Sequence, residues 1–266
     1  MKKNYPVELV YQVFSLLIAF ILVHALYVTL IRPQANSFLE QEAANMQANP
    51  DHVQQRSFYV VIKDYEQETC FVLMLWAFSI LGFKGRATFA QQNLLEQDLM
   101  RLPPDMPVGV EDTRELATRL RELPARMQNY LLPRALLTAI ERFAATRNVQ
   151  NASNAARDVC ESEGERLESE LSIIRYIAWA IPSVGFIGTV RGIGNALGQA
   201  HRAVEGDITG VTSNLGVAFN STFIALLISI VLMFFIHQLQ LIQERLVLDS
   251  ERYIDHWFIR RLRGLP

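Results

Sequence analysis

Two long runs without a charged residue constrain this fold more than any other feature of the sequence. The first covers the 23 positions from Leu9 to Ile31, and the second covers the 27 positions from Ser213 to Leu239. About 20 consecutive apolar residues span the hydrocarbon core of a bilayer, and a soluble domain has no use for runs of that length. The sequence therefore predicts an integral membrane protein.

Two further apolar segments lie between these runs. The segment 69–83 is short, at roughly 15 residues, and needs flanking residues to cross fully. The segment 173–197 contains several glycines and two charged residues, Arg175 at its start and Arg191 near its far end. The first run is longer than the roughly 7–15 apolar residues of a signal peptide, which predicts a retained helix rather than a cleaved one. Four transmembrane helices are therefore expected.

The rest of the chain has helical spacing and no strand pattern, which predicts an all-α membrane protein whose spans continue into long helical cytoplasmic extensions. We divide the chain into four parts. They are an N-terminal transmembrane hairpin at 1–83 (spans at about 9–31 and 69–83, outer loop at 32–68), a helical cytoplasmic region at 84–172, a core transmembrane helix pair at 173–237 and a cytoplasmic C-terminal helix at 238–266.

Basic residues near the ends of the spans predict the orientation, because cytoplasmic loops carry an excess of Lys and Arg. The segment 84–172 contains twelve basic residues, and Lys2 and Lys3 precede the first run. The loop 198–212 contains a single Arg, and 32–68 contains three basic residues against six acidic ones. Both termini and 84–172 are therefore expected in the cytoplasm, with the two acidic loops facing outward.

Composition and residue pattern argue against several function classes. The net charge of −2 and the pI near 6.2 lack the basic stripe typical of proteins that bind nucleic acid. No nucleophile and general base can be placed in one compartment, so we expect no enzyme and no catalytic residue, and nothing in the sequence indicates a cofactor. The histidines are scattered over both sides and the membrane, which predicts no metal site. They are His24, His52, His201, His237 and His256.

Small residues mark one face on each of the last two spans. In lipid, such faces let helix backbones approach closely, and hydroxyls find partners across helices. Two interpretations stay open at this point. The faces are packing surfaces whose threonines bond their own backbone, or they line a polar passage. The faces contain Gly185, Gly188, Thr189 and Gly192 on the third span, and Ala218, Thr222, Ala225 and Ser229 on the fourth.

Carboxylates are absent from all four predicted spans. Proton relays in membranes generally use Asp or Glu side chains that face the bundle interior. If this protein conducts protons, the titrating group must therefore come from another chain. Its own contribution would be small and hydroxyl-bearing residues that line the passage.

The third and fourth spans resemble the MotA/TolQ/ExbB proton-channel family over roughly residues 155–240. The stretch from Ala218 to Thr222 is similar to the family's last transmembrane helix, with Thr222 at its threonine position. The core Gly188-Thr189-Val190 is closer to the TolQ and ExbB branch than to flagellar MotA, while Arg191 and the additional N-terminal span depart from that branch. The resemblance to the hallmark region rests on Arg166-Leu167 through Leu171 and Ile174, Ala180-Ile181-Pro182, Gly185, Gly188-Thr189-Val190 and Gly192.

The resemblance implies a homopentameric ring in the bacterial inner membrane, around two copies of a single-pass partner of the ExbD, TolR or MotB kind. The partner's transmembrane Asp would carry the ion, and ion flow would drive mechanical work on the cell envelope or on a partner. The expected lining of the ion path is Thr189, Thr222, Ser221 and Asn220, with the two threonines within about two helical turns of the same depth. Helix packing or a hinge is expected of Pro182, Gly185, Gly188, Gly192, Ala218 and Ala225.

Two other functions stay open from the sequence. A self-sufficient channel needs its own selectivity group, and Arg191 is its one intramembrane candidate, expected instead to snorkel to the outer interface. A scaffold would use the cytoplasmic helices to recruit a soluble partner.

The sequence also leaves open whether the ion is the proton or sodium and which process is powered. The outer loop 33–66 either docks a partner's domain or caps the structure.

Overall fold

The chain folds almost entirely into helices. This computed structural model describes residues 7–48, 57–100 and 107–263. Within these ranges it contains no β-strand, and one isolated bridge pairs Val108 with Leu262. The all-α fold class predicted from the sequence is confirmed.

The helices differ widely in length, from a single turn to 49 residues in the last one. A π-helical turn at Tyr27–Ile31 joins α1 to α2, and a 3₁₀ turn at Ile259–Arg261 follows α11. The α-helices of the described ranges are α1 (Val7–Leu26), α2 (Arg32–Ala48), α3 (Phe58–Ile62), α4 (Tyr65–Leu95), α5 (Thr113–Arg121), α6 (Ala125–Gln128), α7 (Leu131–Thr146), α8 (Val149–Glu170), α9 (Ser172–Gly198), α10 (Ala200–Val204) and α11 (Thr209–Trp257).

Four helical segments of the described ranges are long and apolar enough to cross a membrane. Their number agrees with the number of spans predicted from the sequence, and their length and composition make this a multi-pass membrane protein. The segments are Leu9–Met46, Tyr65–Leu95, Val149–Gly198 and Thr209–Arg261.

The segment that the sequence assigned to an outer loop, 32–68, is largely helical where it is described. Helix α2 continues the first helix to Ala48, in keeping with the many Ala, Gln and Glu residues that favour helix there. Pro33 lacks a backbone N–H and clashes with the preceding turn of a regular helix. The π-turn that directly precedes it widens the helix at this point and accommodates the ring. Residues 49–56 of the predicted loop lie outside the described residues.

Helix α4 begins four residues earlier than the predicted span 69–83 and ends at Leu95. The earlier start places Glu66, Gln67 and Glu68 in the first turn, where all three side chains are buried. Acidic residues are favoured there because the helix dipole is positive at its N-terminal end. The predicted span 69–83 itself contains no carboxylate, and the earlier start of α4 adds these two glutamates to the N-terminal end of a candidate membrane-spanning helix.

The chain divides into two compact units. The first contains Met1–Gly82 and Ile173–Ile236, and the second contains Phe83–Ser172 and His237–Pro266. Within the first unit, polar side chains join α1 to α4. The Tyr11 hydroxyl lies 2.8 Å from Ser79 Oγ, and Trp76 Nε1 donates to the Gln12 carbonyl at 2.9 Å. Such bonds satisfy polar groups that hydrocarbon cannot solvate.

The second unit has its own hydrophobic core, centred on α7. Phe143 of α7 is fully buried, and its ring meets that of Phe258 edge to face at 6.5 Å. Buried Glu163 of α8 is paired with Arg134 of α7 at 3.3 Å and with Arg166 at 2.5 Å. The other fully buried side chains of this core include Leu131, Leu136, Ala139, Ile140, Ala152, Cys160 and Ile254.

Candidate functional site

Helices α9 and α11 approach each other closely at Gly185, Gly188 and Gly192, all of which are buried. A Cβ atom on Gly185 would lie 2.5 Å from Ala225 Cβ, and one on Gly188 would lie 2.5 Å from Ser221 Cβ. A Cβ atom on Gly192 would lie 2.7 Å from the Ala218 backbone nitrogen. Real Cβ atoms do not approach other atoms this closely, so the two helices touch where only glycine fits.

The two threonines expected on the ion path meet at this contact. Thr189 Oγ1 and Thr222 Oγ1 are hydrogen-bonded to each other, and both side chains are half-buried. Thr189 Oγ1 also lies 3.1 Å from the Ala218 carbonyl oxygen, and Thr222 Oγ1 lies 3.2 Å from the Gly185 carbonyl oxygen. Because each hydroxyl has one hydrogen, one of the two donates to the other hydroxyl and the second donates to its carbonyl. The two hydroxyl groups have two hydrogens and more than two acceptor oxygens within reach. Either hydroxyl can therefore rotate to bond a further ligand while the other keeps a hydrogen bond within the protein.

The other two expected lining residues lie on different sides of α11. Ser221 is 1% exposed, and its hydroxyl donates to the Val217 carbonyl at 2.9 Å. Asn220 is half-buried within α11, and its side chain forms no hydrogen bond with the described residues. The structure therefore brings Thr189 and Thr222 together and leaves Ser221 and Asn220 apart from that pair.

Gln67 of α4 is a buried polar residue that the sequence analysis missed. It is fully buried, and its Nε2 donates to Ser221 Oγ at 3.4 Å and to the Val61 carbonyl at 3.2 Å. Its Oε1 has no hydrogen-bond partner among the described residues. The signal that could have found it is the shortness of the predicted second span, which required flanking polar residues to enter the helix.

Pro182 lies inside α9, which continues unbroken on both sides of it. Because proline has no backbone N–H, the carbonyl of Ala178, four residues earlier, loses its usual donor. Ser229 Oγ of α11 donates to that carbonyl at 3.1 Å. The serine of the small-residue face thereby replaces a missing helix bond.

Charged side chains form ion pairs around the N-terminal turn of α4. Arg191 donates two hydrogen bonds of 2.7 Å to Glu66, from Nε to Oε1 and from Nη2 to Oε2. Glu68 is paired with His24 at 2.6 Å and with Arg32. The expectation that Arg191 snorkels to the outer interface stays a prediction, and the structure adds that its guanidinium is held by a carboxylate of the same unit.

Asp64 precedes α4 and is half-buried, and its Oδ2 has no hydrogen-bond partner among the described residues. Burial raises the pKa of this carboxyl above its ordinary value, and the nearby charges of Lys63 and Arg191 oppose that rise. The folded protein therefore prefers the protonated form of Asp64 more than the unfolded chain does.

No metal site is evident in the ranges that the structure describes, since no three His, Cys, Asp or Glu side chains there are grouped to hold an ion. The two cysteines are free, with Cys70 buried in the first unit and Cys160 buried in the second. Cys70 Sγ lies 3.7 Å from the Ile181 carbonyl, which adds a weak contact between α4 and α9.

Comparison with known families supplies the assignment. Residues 127–252 match the model of the MotA/TolQ/ExbB proton channel family. The chain carries a domain of this family. The resemblance found in the sequence is thereby confirmed, and the matched residues include the whole α9–α11 contact with Thr189 and Thr222. The family is one of membrane proton channels and not a known enzyme family. No curated protein and no solved structure gives a significant match.

The family domain does not include α4. Glu66 and Gln67, whose side chains bond Arg191 and Ser221 of the family domain, precede the matched residues. The polar surroundings of the α9–α11 contact therefore come partly from the family domain and partly from the N-terminal third of the chain.

We expect Gly185→Ala to lower the melting temperature of the purified protein in detergent, because the new methyl group would overlap Ala225. Overpacking of this kind typically costs about 1–3 kcal/mol. Gly194→Ala is the matched control on the same helix, since a Cβ atom there meets nothing within 4 Å. Equal melting temperatures for the two variants would contradict the close helix contact.

We expect Asp64→Asn to raise the melting temperature at pH 7.5 and to change it little near pH 4. A raised folded-state pKa stabilises the fold at low pH, and that stability is lost as the pH rises from about 3.9, the ordinary Asp value, through the raised value. The Asn side chain is uncharged at all pH values, as the Asp64 carboxyl is when it is protonated. The control is Asp207→Asn, because a hydrogen bond from the Thr209 backbone lowers the pKa of Asp207 and the sign is opposite. An identical shift at both pH values for Asp64→Asn would refute this account.

Proposed function

We propose that this chain is the ring subunit of an ion-driven motor in the bacterial inner membrane, and that the ion is the proton. The observation that carries the proposal is the hydrogen-bonded pair of Thr189 and Thr222 at the α9–α11 contact of the family domain. Polar groups that meet inside a membrane bundle are usually functional, because placing them there is costly.

The threonine pair can serve a carboxylic acid or an ordered water that passes it. Each hydroxyl can donate one hydrogen bond and accept others, so the pair can bond either form of a carboxyl group. A carboxylate that gains such a bond is stabilised in its charged form, and losing the bond raises its pKa. We propose that Ser221 and Asn220 extend this polar lining on the neighbouring sides of α11.

The proton carrier in this proposal belongs to another chain. Glu66 is ion-paired with Arg191 and Glu68 is ion-paired with Arg32, so both carboxylates are already engaged within this chain. The proposed partner is a single-pass membrane protein of the ExbD, TolR or MotB kind with a transmembrane Asp. The family assignment supports a partner of this kind.

We place the four spans in the bilayer, and we place 84–172, 238–266 and both termini in the cytoplasm. The twelve Lys and Arg residues of 84–172 and the five of 238–266, compared with three in 32–68 and one in 198–212, support this orientation. In functional terms, 1–83 is the proposed N-terminal hairpin, 173–237 the proposed ion-conducting pair, and the cytoplasmic parts are helical extensions. Five copies would surround the partner, and ion flow past Thr222 would be coupled to mechanical work.

A self-sufficient ion channel is the second candidate, and the Glu66–Arg191 pair favours it because the chain then carries charged groups of its own near the threonines. Ion flux into liposomes separates the two candidates. The motor requires the co-reconstituted partner for flux, whereas the channel conducts alone. A membrane scaffold that recruits a cytoplasmic protein would give no flux in either preparation.

We expect Thr222→Val to abolish ion-driven activity without preventing assembly. Valine keeps the shape of threonine but removes the hydroxyl that bonds Thr189 and the Gly185 carbonyl. Thr222→Ser should retain part of the activity because it keeps the hydroxyl. The measurements are flux into liposomes with the partner present and native mass spectrometry of the complex.

Thr212→Val is the matched control on α11, since the Thr212 hydroxyl bonds the carbonyls of its own helix at Ile208 and Thr209. This control should conduct at the full rate. If Thr222→Val also assembles and conducts at the full rate, the hydroxyl only packs and the proposed path is wrong.

We expect native mass spectrometry in mild detergent to give five copies of this chain, with the partner present. Helices with small-residue faces and long apolar surfaces associate in membranes through close packing, which favours a defined oligomer. A stable monomer or dimer in the presence of the partner would overturn the ring proposal.

A further inference from the structure

The ion pair of Glu66 and Arg191, between two candidate membrane-spanning helices, is a feature that the proposed proton path does not use. Its two bonds of 2.7 Å form the fork arrangement in which arginine binds a carboxylate most strongly. Glu66 has 11% of its side chain exposed, and Arg191 has 41%. A buried carboxylate and a half-exposed guanidinium thus neutralise each other within the first unit.

The pair lies at the level of the threonine contact. Glu66 Cγ is 3.1 Å from the position of a Cβ atom on Gly188, the residue before Thr189. The next residue of α4, Gln67, donates to Ser221, the residue before Thr222. Arg191 follows Thr189 by two residues, or about 3 Å along the helix axis. The first turn of α4 therefore stands beside the same helical turns of α9 and α11 that carry the threonines.

A charge at this place acts on any cation that passes the threonines. At an effective dielectric constant of about 20, a unit charge about 10 Å away changes the population of a cation by roughly tenfold. An unpaired Arg191 would repel the cation, and an unpaired Glu66 would attract and hold it. Asp64 is also close enough to Arg191 to interact with it and offsets part of its charge.

We propose that the Glu66–Arg191 pair sets the electrostatic field at the threonine contact and thereby determines the affinity of the path for a cation. The inference rests on the proposed function, because it requires that ions pass Thr189 and Thr222. Arg191 keeps Glu66 from capturing the passing ion, and Glu66 keeps Arg191 from excluding it. Both residues act on the path through the field and do not themselves carry the ion.

The sign of the effect distinguishes this role from a structural one. With the full complex in liposomes and ion flux measured over a range of ion concentrations, Glu66→Gln should lower the flux at limiting ion concentration by roughly three- to tenfold. Arg191→Gln should raise the flux at limiting ion concentration and lower the concentration that gives half-maximal flux. The double variant should return both quantities to within about twofold of the original protein, since the two charges cancel.

A pair that only fastens α4 to α9 predicts a different pattern. Both single variants would then lower the flux, and the double variant would be no better than the weaker single one. That result overturns the proposal. Glu141→Gln is the control, because Glu141 forms an exposed pair with Arg121 in the second unit, and it should leave the flux unchanged. Assembly of every variant is checked by native mass spectrometry.

Thr222→Val in the same assay separates failure of this inference from failure of the proposed function. Suppose that Thr222→Val abolishes flux while Glu66→Gln and Arg191→Gln change the flux in the same direction. The proposed ion path past Thr222 is then supported, and the proposed electrostatic role of the Glu66–Arg191 pair is wrong. If Thr222→Val conducts normally while the two variants act with opposite signs, the pair sets a field for a path that avoids the threonines, and the inference as stated falls with the proposed function.

Discussion

The site depends on one contact, the approach of α9 to α11 at three glycines. A methyl group at Gly185, Gly188 or Gly192 would overlap atoms of the facing helix, so the absence of side chains there sets the distance between the backbones. At that distance a threonine hydroxyl of one helix reaches a carbonyl of the other. Close packing and hydrogen bonding are therefore not alternatives at this contact, because the close packing is what brings the hydroxyls together.

Charge in the first unit follows a second constraint. Hydrocarbon solvates ions poorly, and a carboxylate or guanidinium is tolerated at membrane depth when it is paired. The N-terminal turn of α4 meets this requirement twice, with Glu66 bound to Arg191 and Glu68 bound to His24 and Arg32. The N-terminal part of the chain, which precedes the family domain, is thus joined to that domain by ionic as well as apolar contacts.

Sequence reasoning located the helices and the threonine pair but not their charged surroundings. The spacing of glycines and hydroxyls has the period of a helix, so Thr189 and Thr222 could be placed near one depth before the fold was known. Glu66 and Gln67 were assigned to a loop because hydropathy marks the edge of a span by polarity. A polar residue that is buried by pairing with a residue 125 positions away leaves no local signal, and only the tertiary structure reveals it.

The bond between Ser229 and the Ala178 carbonyl has a mechanical consequence. A helix bends most easily where proline has removed a backbone hydrogen bond. Helix α9 is continuous but lacks one such bond at Pro182. Here the vacant carbonyl is held by a side chain of α11, so α9 can flex at that turn only by stretching a bond to its neighbour. The bending stiffness of one helix is therefore controlled by the rotational position of another, and a twist of α11 would be converted into a change in the curvature of α9.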